Sequence, residues 1–169
     1  MKMFWILMLL AAGSIGFAQW KVTTSVDEIT GITSCYAISK SVKPVHKLDF
    51  PYTDVTSWIG IGVDPKEEWG YIGYSTAPNL VDGKIGDGYS TYNFRIRWDD
   101  NQGTILFIQE WGSKFLHPAD DRNFIANLQK HKLFLIELHW FGQGNVYFRY
   151  PLAGAKQAIE QARAACKKK

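Results

Sequence analysis

Eight short runs of β-branched and aromatic residues constrain this chain more than any other feature; they lie at 20–26, 33–39, 57–63, 69–76, 91–98, 104–109, 132–141 and 145–150. Such residues suit a pleated, half-buried surface, and runs of this length bounded by turn residues are strands rather than helices. The punctuation between them is readable: Asp27-Glu28-Ile29-Thr30-Gly31, Asp82-Gly83, Gly86-Asp87-Gly88, Asp99-Asp100-Asn101-Gln102-Gly103 and Gly142-Gln143-Gly144-Asn145. Glycine, Asn and Asp are the residues that turn a chain most cheaply. The last two turns are short enough to close antiparallel hairpins.

Two stretches break the two-residue rhythm. Between 118 and 130, Phe124, Ile125 and Leu128 share one helix face, with Asp120 and Asp121 at its N-terminal end, where negative charge is favoured. From 152 to 166, Leu152, Ala155, Ala158, Ile159, Ala162 and Cys166 recur at steps of three and four and form one apolar stripe, while Lys156, Glu160 and Arg163 fall opposite. The three terminal lysines suit the negative end of that helix dipole. The fold class expected is therefore α+β and β-rich, an antiparallel sheet or sandwich of about eight strands with a short internal helix and a C-terminal helix. A length of 169 residues fits one domain, and 46% apolar with 21% charged residues can build a core. A net charge of +3 is too small to point to nucleic acid.

The first 18 residues read as an address rather than as part of the fold. Lys2 precedes the apolar run Phe4-Trp5-Ile6-Leu7-Met8-Leu9-Leu10-Ala11-Ala12, and Gly16-Phe17-Ala18 places small residues where signal peptidase cuts. The apolar run is shorter than the roughly 20 residues that cross a bilayer. Residue 19 is Gln and not Cys, which disfavours a lipid anchor. The expectation is a signal peptide at 1–18, one β-rich domain at 19–169, no membrane anchor after cleavage, and a periplasmic or secreted location.

Cys35 and Cys166 are the only cysteines. In an exported chain disulfides persist, only one pairing is possible, and the inward stripe turns the Cys166 sulfur toward the body. A Cys35–Cys166 bond would tie the last helix back to the first strands. Two unpaired buried thiols are the alternative. A nucleophilic cysteine has no histidine beside it in sequence.

The ends of the chain resemble a group of small exported bacterial proteins that includes the invasion-associated locus B-like proteins and the type VI secretion-associated periplasmic proteins. The residues that carry the resemblance are Trp20, Asp27-x-x-Thr30-x-x-x-x-Cys35-x-Ala37, and Phe148-x-x-x-Leu152-x-Gly154-Ala155-x-x-Ala158 with Cys166. The resemblance implies a β-rich periplasmic fold with a terminal disulfide and a non-enzymatic, accessory role.

No catalytic or metal-binding constellation is recognisable, and no cofactor is expected. His46, His117, His131 and His139 lack metal-ligand spacing. Glu137 and His139, two apart, could share a strand face as an acid-base pair or as an ordinary hydrogen-bonded one. Ser57 and Ser113 stand outside any G-x-S-x-G elbow. The acidic run 99–103 reads as a hairpin turn rather than a calcium loop.

The unusual local composition is central: Trp58, Trp69, Tyr71, Tyr74, Tyr89 and Tyr92 are interleaved with Gly60, Gly62, Gly70, Gly73, Gly86 and Gly88. Glycine beside an aromatic lets a ring lie against backbone or lets a ligand approach. These rings either fill a β core or form a binding surface, with Trp69, Tyr74, Tyr89 and Tyr92 as the candidate binding residues and the loop 77–88 projecting beside them. The function expected is a periplasmic binding or accessory protein without catalysis, its partner a protein or glycan of the cell envelope. An envelope hydrolase with an unrecognised site, or an inhibitor of an envelope enzyme, is the alternative.

Overall fold

The computed structural model describes residues 19–167. The expected signal peptide and the last two lysines lie outside the described residues. Ten strands and two helices follow one another: β1 (Trp20–Val26), β2 (Thr33–Ser39), β3 (Ser57–Val63), β4 (Glu68–Tyr74), β5 (Lys84–Ile85), β6 (Tyr89–Trp98), β7 (Asn101–Glu110), β8 (Phe115–Pro118), α1 (Asp121–Lys130), β9 (Leu133–Trp140), β10 (Gly144–Pro151) and α2 (Ala155–Lys167). All pairings are antiparallel, in the order β1-β2-β3-β4-β8-β7-β6-β9-β10, with β5 on the edge of β6 beyond β9. The eight expected runs are eight of the ten strands. The other two, β5 with two residues and β8 with four, are too short to show an alternation.

Short β8 joins two halves of the sheet, pairing with β4 on one side and β7 on the other. The far ends are drawn together by the segment after β2, where Val42 bridges Ser57 of β3 and Pro44 bridges Phe148 of β10. The sheet thus folds over one continuous core, filled from β3 by Ile59, Ile61 and Val63, from β9 by Phe134, Ile136, Leu138 and Trp140, and from β10 by Val146, Phe148 and Tyr150. Strict alternation makes this possible, because every second residue of each strand turns inward.

Both helices form where the sequence places them. Asp120 caps α1, its side chain accepting from the Asn123 N–H at 2.9 Å. Phe124, Ile125 and Leu128 are its buried face. The helix docks on β4 at Gly70, which has room only for hydrogen: a methyl there would lie 2.8 Å from Phe124, and the Gly70 N–H donates to Asp121 at 2.6 Å. The stripe of α2 is buried at Ala155, Ala158, Ile159, Ala162 and Cys166 and packs on β1, β2 and β3. Arg163 on its flank pairs with Glu68 and reaches Gln129 of α1 at 3.2 Å. Cys35 and Cys166 are disulfide-bonded, with Cα atoms 5.9 Å apart, so the C-terminal helix is covalently tied to the second strand.

The two expected hairpins are β6–β7 and β9–β10. In the first, Asp99 takes φ +50° and its carboxylate accepts from the Lys132 and Leu133 N–H groups, at 2.9 Å each, and contacts His131 Nδ1 at 3.0 Å. The acidic run is a turn that also anchors the start of β9. The His131 hydrogen bond, helped by the backbone donors, holds the Asp99 carboxyl below its ordinary range against a smaller opposing effect of burial.

Candidate functional site

The outer faces of β2, β3, β4 and β8 carry a pavement of rings. In β3, Ser57, Ile59, Ile61 and Val63 turn inward, leaving Trp58, Gly60 and Gly62 outside. In β4, Gly70, Ile72 and Tyr74 turn inward, leaving Trp69, Tyr71 and Gly73 outside. The register then sets each ring opposite a glycine: Trp58 faces Gly73, Tyr71 faces Gly60 and Trp69 faces Gly62. Each ring lies across that glycine so closely that a methyl group there would come within 2.4 Å of Trp58, 2.1 Å of Tyr71 or 2.2 Å of Trp69. A slip of one residue in either strand would turn that strand's three members to the other face.

Neighbouring strands extend the pavement. Tyr36 of β2 pairs with Gly62 and meets Trp69 edge to face at 6.0 Å. Phe115 of β8 pairs with Gly73 and meets Tyr71 at 5.3 Å and Trp58 at 6.5 Å, both edge to face. His117 stands 6.3 Å from Tyr71. The result is three rungs, Tyr36-Gly62-Trp69, Ile38-Gly60-Tyr71 and Trp58-Gly73-Phe115. They span about 14 Å along the strands. Phe115 is 40% exposed and the other rings are half-buried. Burial raises the Tyr71 phenol above its ordinary range; the nearby Tyr36 adds to the rise, and a hydrogen bond with Trp58 opposes it.

Of the four candidate binding residues, Trp69 belongs to this pavement. Tyr74 and Tyr92 do not belong to any surface, which corrects the expectation. Tyr74 has the inward parity of Ile72 and is fully buried against Trp140 and Phe148. Tyr92 has the parity of Phe94 and Ile96, is 7% exposed and stacks on Phe94 at 5.4 Å. Their polar turn neighbours suggested exposure, but strand parity decides it. Tyr89 is 42% exposed, lies over Gly86 and pairs with Glu110, so it stands across β7 from the pavement's Phe115 edge rather than within the rungs, near exposed Ile85 and Trp111. The residues not singled out from the sequence are Tyr36 and Phe115. Their signal was position: each pairs with a pavement glycine, which becomes visible only once the register is known.

Glu137 and His139 do share a face, and they belong to a chain of charges. Arg95 clasps Glu137 through Nε and Nη2 at 2.6–2.9 Å, His139 Nε2 lies 3.3 Å from the same carboxylate, and His139 Nδ1 lies 3.1 Å from Asp82. Burial pushes the Glu137 carboxyl up, but the hydrogen bonds of Arg95, Tyr147 and His139, with the Arg95 charge, outweigh it and hold the group below its ordinary value of 4.5. A carboxylate held ionised by a guanidinium is a poor general base. Ser57 is fully buried; its hydroxyl donates to the Gly73 carbonyl at 2.8 Å and so receives the proton of Tyr150, 2.6 Å away. Among the described residues, no group of three or more His, Cys, Asp or Glu is placed to hold a metal ion, and no helix is long and apolar enough to cross a membrane.

Compared with known protein families, curated proteins and solved structures, the chain matches none.

Proposed function

We propose that this protein is an exported binding module of the bacterial envelope that acts without catalysis, and that the pavement on β2, β3, β4 and β8 meets its ligand. The observation that carries the reading is the cross-strand match of three rings to three glycines. Core packing needs rings on the inward face, where Phe134, Phe148, Trp140 and Tyr150 already supply them. Paving the outward face as well, at the cost of three glycines in strand interiors, makes sense as a rigid apolar platform. The ligand class it fits is a glycan: a pyranose offers a face of C–H groups edged by hydroxyls, which matches flat rings with polar margins. The disulfide and the apolar leader sequence support export, and the resemblance of the chain ends supports an accessory role.

The test is calorimetric titration of residues 19–169 with soluble envelope oligosaccharides and with peptides of matched length. An oligosaccharide should bind, and Trp58→Ala and Tyr71→Ala should each weaken it at unchanged melting cooperativity. Binding that survives both substitutions would overturn the assignment of the face.

A further inference from the structure

The pavement is not electrically uniform. At its β1 side it borders a cavity of about 630 Å³ lined by Trp58, Tyr71, Phe115, Ile38, Lys21 and Lys40, together with serines and the start of β1. No acidic side chain lines this cavity. Lys21 is the cross-strand partner of Ile38, which pairs in turn with Gly60, the glycine under Tyr71. Lys40 follows Ser39, whose hydroxyl accepts from the Ile59 N–H at 2.9 Å and so fixes the end of β2 against β3 beside Trp58. Both lysines are exposed, and neither is in a salt bridge among the described residues.

Other charged clefts hold carboxylates beside their cations. Arg95 is neutralised by Glu137, and Arg163 by Glu68. The cavity beside α1 and α2, of about 540 Å³, mixes Lys66, Arg122 and Arg163 with Glu67, Glu68 and Asp121. Beside the pavement, cations and a row of rings share one wall with no carboxylate in the cavity. Rings of this kind grip the apolar face of a sugar, whereas ammonium groups at the margin have nothing to pair with until the sugar brings an anion.

Resting on the binding role proposed above, we infer that the ligand of this face is an acidic glycan, one whose sugars carry carboxylates, with Trp58, Tyr71 and Phe115 stacking on the sugar rings and Lys21 and Lys40 pairing with the carboxylates. Two exposed ion contacts each supply up to about fivefold in affinity, so an acidic oligosaccharide should bind roughly tenfold more tightly than a neutral one of the same length. The preference should narrow as salt is raised, because both lysines are open to solvent.

The experiment titrates the protein with a hyaluronan hexasaccharide, which alternates N-acetylglucosamine with glucuronic acid, and with chitohexaose, its neutral counterpart. The same titrations are run on the double variant Lys21→Gln/Lys40→Gln and on Trp58→Ala. The expected result is a roughly tenfold preference for hyaluronan that the lysine variant abolishes while chitohexaose binding persists. Trp58→Ala should weaken both sugars. Equal affinity for the two sugars, or a preference untouched by the lysine changes, would overturn the inference and leave the binding face standing. Hyaluronan binding that ignores Trp58→Ala would also overturn it, since charge alone would then be acting. Failure of the wild-type protein to bind either sugar would remove the glycan reading itself.

Discussion

Gly62→Ala is the sharpest perturbation of the pavement because its effect depends on one neighbour. The added methyl would lie 2.2 Å from Cε2 and 2.3 Å from Cζ2 of Trp69, where ordinary contact begins at 3.4 Å. The indole must therefore retreat by more than an ångström, and its edge-to-face contact with Tyr36 at 6.0 Å opens as it does so. Overpacking costs about 1–3 kcal/mol. The lost ring pair adds about 0.5–1.5 kcal/mol. Replacing a strand glycine returns about 0.5–1 kcal/mol. A net loss of about 0.5–4 kcal/mol, centred near 2, follows, measured by urea unfolding. In a Trp69→Ala background the clash with the indole is gone, and the same change should stabilise by about 0.5–1 kcal/mol. The double-mutant cycle isolates the contact, so equal effects of Gly62→Ala with and without Trp69 would refute the reasoning.

Reducing the Cys35–Cys166 bond, which spans 131 residues, should lower stability by about 5 kcal/mol on the chain-entropy account; denaturant unfolding with and without reductant checks it, and an unchanged midpoint would contradict it. Glu137 has its carboxyl held below 4.5, so the stability it contributes is complete above that pH and is lost as pH falls through the lowered value. The gap in melting temperature between wild type and Glu137→Gln should shrink below that pH, and a constant gap would mean the Arg95 clasp contributes nothing. Tyr74→Ala should destabilise by roughly 3–5 kcal/mol, as the emptying of a buried aromatic site does. Tyr89→Ala, at a half-open surface position, should stay within about 0.5 kcal/mol; similar losses for both would contradict their placement.

Periodicity carried much of the architecture. The boundaries of β1, β2 and β3 follow directly from runs of β-formers between turn residues, and the buried stripe of α2 from its three- and four-residue spacing. The disulfide followed from a count of two cysteines and an inward helix face. What local sequence does not contain is pairing. Nothing near Gly62 says that it will face Trp69, because the match arises when β3 and β4 take one register rather than another. The same gap explains Tyr74 and Tyr92: each sits near polar turn residues, yet a strand alternates, and the inward neighbours Ile72 and Phe94 settle their direction. The interleaving of glycine with aromatics was visible and did mark rings lying on backbone, but its middle segment holds both core and surface members, which only parity separates. Short β5 and β8 left no periodic trace, and with β8 went the position of Phe115.

The most direct measurement of the central claim is an NMR titration of the indole N–H resonances with a soluble oligosaccharide. Trp58 and Trp69 lie on the pavement, whereas Trp98 and Trp140 are buried in the core. A ligand held by the pavement should shift Trp58 and Trp69 in a saturable manner and leave Trp98 and Trp140 in place. An oligosaccharide that binds with Trp58 and Trp69 unmoved would contradict the account and place the binding site elsewhere on the molecule.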